Sequence, residues 1–98
     1  MNLQDIYNIE EESTEEDYFL SIQRAINSGS AWSFQGSYGR AMMEAIKSGA
    51  CMLGRSDARD YYGNHIPSRT QVKEGTKGSY TYCAAHYGKE WADMMKEA

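Results

Sequence analysis

The chain has 98 residues and a net charge of −4, with 41% hydrophobic and 24% charged residues. This length predicts one domain, and the composition argues against disorder over the whole chain. The sequence contains neither an apolar run near the roughly 18 residues of a membrane span nor the basic and apolar regions of a secretory signal. We therefore expect a cytoplasmic protein with no membrane partner, whose Cys51 and Cys83 stay reduced.

Negative charge is concentrated at the start of the chain. Residues 1–20 contain seven acidic residues and no Lys or Arg, so the rest of the chain carries a net charge of +3. We predict an acidic N-terminal arm over residues 1–12 and a single small helical domain over residues 13–98. The acidic residues within 1–20 have two interpretations. They supply solubility and helix capping, or they bind a basic surface of a partner.

The first two predicted helices have recognisable start and stop signals. The first begins near Ser13 or Thr14, because each is followed three residues later by an acidic residue, as in a capping box. It ends at Gly29, a residue type that favours helix C-termini. The second is less sharply bounded: Ser37 is its expected N-cap, unless residues 30–36 form its first turns instead of a separate short segment. It ends at Gly49, and its apolar residues recur at helical spacing.

The last predicted helix has the clearest pattern. Ser79 is its expected N-cap, and Gly88 is its weak point, because Gly disfavours a helix by about 1 kcal/mol relative to Ala. Its apolar residues alternate at spacings of four and three, as in a heptad seam: Tyr80, Ala84, Tyr87, Trp91, Met94 and Ala98. Such a seam packs either within the chain, the preferred alternative, or against a second copy in a homodimer.

A long connection joins the second and last predicted helices. Residues 50–54 are apolar and are expected to be buried, whereas residues 55–78 are polar and contain several Gly and one Pro. A segment of this length without regular structure is uncommon in a small domain and is often functional. The predicted fold class is therefore mainly α: a three-helix small domain with a long irregular connection, in which a short β-hairpin around residues 62–65 is an option.

The connection is rich in the residue types that dominate binding hot spots. Arg and Tyr are favoured there, and they also stack on nucleic-acid bases. The alternative is a solvated loop in which Arg and Asp pair with each other, each exposed pair contributing under about 1 kcal/mol. The candidate partner-binding residues are Arg55, Arg59, Tyr61, Tyr62, His65 and Arg69.

A second candidate site lies where the connection enters the last helix. A glycine-rich approach to a helix N-terminus presents backbone N–H groups and a partial positive charge that suit an anion. The alternative function is therefore a nucleotide- or nucleic-acid-binding domain that uses this basic segment, although the residue order is not that of a Walker A loop. An ordinary turn and cap is the other interpretation of these residues, which are Lys73, Lys77, Gly78 and Ser79.

Metal binding and catalysis have weaker support in the sequence. The residues Cys51, His65, Cys83 and His86 match the number of ligands in a structural zinc site, but no C-x-x-C pair is present and Cys83 fits the apolar seam. The chain also lacks a nucleophile elbow and a cysteine-protease signature. We predict no metal, no cofactor and no enzymatic activity.

Four segments of the chain carry a resemblance to known proteins: WSFQGSYGRAMMEAIKSG at residues 32–49, DYYGN at 60–64, IPSR at 66–69 and GTKGS at 75–79. They resemble short bacteriophage-encoded proteins of unassigned function. The resemblance covers roughly residues 30–95 and transfers no residue role. It implies a small accessory protein in the cytoplasm of an infected bacterium. The expected function is binding and modulating or inhibiting a bacterial host protein, such as a component of host defence, transcription or replication.

Overall fold

The order of elements along the chain is two helices, a β-hairpin and two further helices. The computed structural model describes residues 14–33, 37–60 and 62–98. Within them lie α1 (Glu15–Ser28), a short 3-10 helix (Ser30–Ser33), α2 (Ser37–Ser48), β1 (Ala58–Arg59), β2 (His65–Ile66), α3 (Tyr80–Tyr87) and α4 (Lys89–Glu97). The mainly α fold class with a short hairpin is confirmed, whereas the acidic arm over residues 1–12 lies outside the described residues.

Helix α1 begins at the later of the two predicted capping positions. The backbone N–H of Asp17 donates to the Thr14 hydroxyl at 3.1 Å, so Thr14 is the N-cap. Acidic residues fill the first turn, where they stabilise the positive end of the helix dipole. The helix ends at Gly29, whose φ of +86° lies in the left-handed region and whose N–H donates to the carbonyl of Ile26.

The predicted C-terminal helix is divided at Gly88 into α3 and α4, so the described residues contain four α-helices where the sequence predicted three. Gly88 has φ +95° and ψ 157°, a conformation that is essentially restricted to Gly. Its N–H donates to the carbonyl of Ala84 at 2.9 Å, and its own carbonyl accepts from Ala92 at 3.0 Å. Gly88 therefore ends α3 and starts α4 while its own N–H and its own carbonyl both remain hydrogen-bonded.

The hydrophobic core lies between α1, α2, the 50–53 segment and the two C-terminal helices. Met95 is fully buried, and Trp91 donates its indole N–H to the carbonyl of Ala50 at 2.8 Å. The apolar seam of α4 thus packs within the chain. None of the helices in the described ranges has the length and apolarity needed to cross a bilayer. The largest fully buried apolar side chains are Ile22, Ile26, Met42, Met52, Met95, Cys51 and Cys83.

A buried glutamine fixes the start of the connection. Gln23 of α1 is completely buried, and its side-chain amide pairs with the backbone of Met52. Its Oε1 accepts from the Met52 N–H at 2.8 Å, and its Nε2 donates to the Met52 carbonyl at 2.9 Å. Because buried backbone groups need partners, this amide lets residues 50–53 lie in the core without a neighbouring strand.

Candidate protein-interaction hairpin

The connection contains one compact element that projects exposed side chains, a hairpin over residues 57–66. Its strands pair antiparallel, with Ala58 opposite Ile66 and Arg59 opposite His65. The N–H of Asp60 donates to the carbonyl of Asn64 at 3.0 Å and continues the ladder into the loop. Ala58 and Ile66 pack against the core, so the hairpin is attached to the helical frame by its base.

The carboxylate of Asp60 organises the hairpin loop. Its Oδ1 accepts from the backbone N–H groups of Tyr62 at 2.9 Å and Asn64 at 2.8 Å, and its Oδ2 accepts from the Asn64 side chain at 3.2 Å. These hydrogen bonds, led by the one from the Asn64 backbone, lower the pKa of Asp60 below its ordinary value. Gly63 supplies the positive φ of +85° that closes the turn. These contacts connect the described residues at the end of the hairpin, Asp60, Tyr62 and Asn64, to one another.

This loop presents an aromatic side chain to solvent. Tyr62 is 75% exposed, and among the residues whose burial is described the other exposed large hydrophobic residue is Met43 at 42%. Arg59 is exposed and donates to the carbonyl of Gly63 at 2.9 Å, while His65 lies 3.0 Å from the carboxylate of Asp57. The hairpin thus brings together three of the predicted contact residues, Arg59, Tyr62 and His65; the predicted contact Tyr61 lies outside the described residues.

Arg69 is not part of this surface. It is only 8% exposed, and its Nε donates to the carbonyl of Leu53 at 2.9 Å. Its Nη2 donates to the side-chain oxygen of Asn27, and its backbone N–H donates to the carbonyl of Gly54 at 2.9 Å. The predicted role of Arg69 as a partner contact is therefore corrected: this arginine joins the connection to the interior.

Arg55 lies before the hairpin and contacts the end of the chain instead. One of its Nη atoms donates to the carbonyl oxygens of Lys96 and Ala98, each at 3.1 Å. The carbonyls at a helix C-terminus lack partners within the helix, so Arg55 satisfies groups that α4 leaves open. Arg55 is exposed, but the structure connects it with α4 rather than with the hairpin loop.

The predicted anion site at the start of α3 is occupied by the protein's own groups. The Ser79 hydroxyl accepts from the N–H groups of Tyr82 at 3.1 Å and Gly75 at 3.2 Å, and donates to the Thr76 carbonyl at 2.7 Å. Gly78 is buried, and its carbonyl accepts from the N–H of Leu53. These contacts match the turn-and-cap interpretation, in which the exposed Lys73 and Lys77 are solvated.

The two cysteines and two histidines weighed as zinc ligands do not gather at one place. No group of three or more His, Cys, Asp or Glu that could hold a metal occurs among the residues that the structure describes. Burial raises the pKa of Cys83 to about 11 and raises that of Cys51 further. Both thiols are therefore protonated at neutral pH and are poor ligands and nucleophiles.

Comparison of the chain with protein-family models, curated proteins and solved structures finds no match. The sequence pattern indicated the Tyr and Arg residues of the hairpin but not Asp60, whose carboxylate accepts from the backbone N–H groups of Tyr62 and Asn64. The sequence does contain a signal for this role. Asp60 precedes Gly63 and Asn64 by a few residues, and Asp side chains often accept from backbone N–H groups in turns.

Proposed function

We propose that the protein is a non-enzymatic binding module that contacts a bacterial host protein through the hairpin over residues 57–66. The observation that carries this proposal is the hydrogen bond from the Tyr62 backbone N–H to Asp60, which positions the backbone of a tyrosine whose side chain is 75% exposed. A tyrosine whose backbone is positioned before binding contributes a large amphipathic contact at a reduced loss of conformational entropy. The choice of a bacterial host protein as the partner rests on the resemblance to bacteriophage proteins. Binding of this chain would modulate or inhibit that host protein.

The charges around Tyr62 support a polar protein surface as the partner. Arg59 and the His65–Asp57 pair flank the aromatic residue on the same hairpin. An aromatic anchor inside a polar rim is the usual arrangement of a protein–protein contact. The alternative of a nucleotide- or nucleic-acid-binding site at Lys73, Lys77, Gly78 and Ser79 gains no support from a specific contact.

The test is affinity capture from bacterial lysate with three versions of the chain. We expect the wild-type chain to retain a host protein, and the double variant Arg59→Ala/Tyr62→Ala to lose it. The matched control is Met43→Ala, because Met43 is also an exposed large hydrophobic residue and lies on α2, outside the hairpin. Retention by all three versions, or equal loss in the control, would contradict the proposed surface.

A direct measurement then follows with the purified partner. Truncation of an interface hot spot weakens binding by at least about 2 kcal/mol, which corresponds to roughly thirtyfold in Kd. We expect this loss for Tyr62→Ala and an unchanged Kd for Met43→Ala, measured by calorimetry. A Tyr62→Phe variant distinguishes the contribution of the aromatic ring from that of the hydroxyl. If this variant keeps the wild-type affinity, the contact is made by the aromatic ring.

A further inference from the structure

The bend between α3 and α4 keeps part of the hydrogen-bond pattern of one continuous helix. The N–H of Gly88 donates to the carbonyl of Ala84, and the carbonyl of Gly88 accepts from Ala92, so both bonds have the four-residue spacing of an α-helix. Between them, the N–H groups of residues 89–91 have no acceptor in the part of the chain that the structure describes. Joining α3 and α4 into one helix would therefore add three backbone hydrogen bonds, to the carbonyls of residues 85–87.

The sequence pattern favours the same continuous helix. The heptad seam runs from Tyr80 to Ala98 and keeps its spacing across the bend. Gly88 has φ +95° and ψ 157°, a conformation essentially restricted to Gly, and an added Cβ there would meet no atom within 4 Å. The bend thus depends on the backbone freedom of one residue and not on close packing around it.

Contacts between α4 and the rest of the chain hold the bend. Trp91 donates its indole N–H to the carbonyl of Ala50 at 2.8 Å. The side chain of Asn27 in α1 donates to the carbonyls of Met95 and Ala98, at 3.1 Å and 2.7 Å. Met95 itself is completely buried. The energy that keeps α4 folded back therefore comes from tertiary contacts that any identical copy of α4 would also make.

A straight helix cannot make these contacts within one chain. Tyr80 at the start of α3 donates to the carboxylate of Asp93 in α4, whereas the 13 residues between them span about 20 Å along a continuous helix. Helix α3 would keep its own anchors, among them the hydrogen bond from the Tyr82 hydroxyl to the carbonyl of Lys47 at 2.9 Å. Straightening would thus vacate the place of α4 in the core and expose the apolar face of α4.

We propose that Gly88 is a hinge at which two copies of this chain exchange α4 and form a domain-swapped dimer. A second copy is the occupant that fits the vacated place, because its α4 has the same sequence and brings the same Trp91 and Met95. Exchange preserves the contacts of α4 and adds the hydrogen bonds of two continuous helices. The inference goes beyond the proposed function, since none of the exposed hairpin residues takes part in the exchange.

The first test measures dimer formation by light scattering after refolding at several protein concentrations. Alanine favours a helix more than Gly does and strains the bend, so Gly88→Ala should raise the association constant by at least about tenfold over the wild-type chain. The matched control is Gly29→Ala, because Gly29 also ends a helix at positive φ and an added Cβ there meets no atom within 4 Å. The control should keep the wild-type association constant.

The second test identifies exchange within the dimer. The rings of Phe19 and Trp91 lie 6.2 Å apart between their centroids, so they should give a nuclear Overhauser effect. In a dimer refolded from labelled and unlabelled chains, we expect this signal between different copies. A dimer that keeps this contact within each copy would overturn the proposal, as would a Gly88→Ala chain no more dimeric than Gly29→Ala. If Gly88→Ala does not fold, a wild-type chain that stays monomeric at every refolding concentration would also overturn it.

Discussion

The two halves of the polar part of the connection, residues 57–66 and 67–79, differ in where their polar groups find partners. The hydrogen bonds described for residues 57–66 join hairpin residues to one another, and Tyr62 at the loop is 75% exposed. Residues 67–79 are instead anchored to the interior, by Arg69 on Leu53 and by Gly78 against the same leucine. The comparison shows that polar, Gly-rich sequence is not by itself evidence of a binding loop. What decides the role is whether the polar groups find partners within the segment or in the core.

The largest expected effect comes from breaking the anchored half at Arg69. Arg69→Ala leaves the buried carbonyl of Leu53 without this donor and empties the volume of the side chain, so we expect a loss of about 3 kcal/mol in the free energy of unfolding. Arg59→Ala is the matched control, because that arginine is exposed and bonds only within the hairpin loop. Urea denaturation measures both, and equal losses would erase the contrast between the two halves.

A pair of glycines gives an intermediate effect. Gly63 in the hairpin and Gly78 in the anchored half both have positive φ, +85° and +94°, so alanine strains the backbone similarly at each. A Cβ at Gly78 would come within 2.5 Å of Leu53 Cδ1, whereas a Cβ at Gly63 meets nothing within 4 Å. We expect Gly78→Ala to destabilise the protein by about 1–3 kcal/mol more than Gly63→Ala. Thermal unfolding of the two variants would show this difference, and equal midpoints would contradict the packing of Leu53.

The smallest expected effect on global stability is at Asp60. Its pKa is lowered in the folded chain, so its contribution to loop order is complete above the ordinary carboxyl range. That contribution is lost as pH falls through the lowered pKa, below about pH 4. The amide signals of Tyr62 and Asn64 should report this change by NMR, and Asp60→Ala should lower the unfolding midpoint at neutral pH by less than Gly78→Ala does.

Asp60→Asn is the control for the acid transition. Asn keeps one oxygen that can accept from the Tyr62 and Asn64 backbone, but it does not titrate. The loop signals of Asp60→Asn should therefore be insensitive to acid. A transition of the same size in both chains would show that Asp60 is not the titrating group.

The sequence predicted the parts of the fold that depend on local signals. The N-cap at Ser79, the ends of helices at Gly29 and Gly49, and the burial of residues 50–54 all rest on residues close in the chain, and the structure shows each. The sequence identified Gly88 as a weak point but did not predict that the helix ends there, because one Gly inside a strong heptad pattern is tolerated in many helices.

The parts that could not be predicted depend on contacts between distant residues. Gln23 pairs with Met52, which is 29 residues away, and Arg69 reaches Asn27 across 42 residues. Nothing in a local pattern separates a buried arginine from an exposed one, so Arg69 was placed on the surface with Arg59. For the same reason the juxtaposition of Arg55 and Arg69 with Lys96 became visible only in the folded chain.

The hydrogen bonds that connect the last turn of α4 to α1 and to Arg55 have a practical consequence. Asn27 and Arg55 each donate to the oxygen of Ala98, and Asn27 also donates to the carbonyl of Met95. An affinity tag or fluorophore placed directly after Ala98 would press on this packed junction. Labels for the capture and titration experiments therefore belong on the opposite terminus.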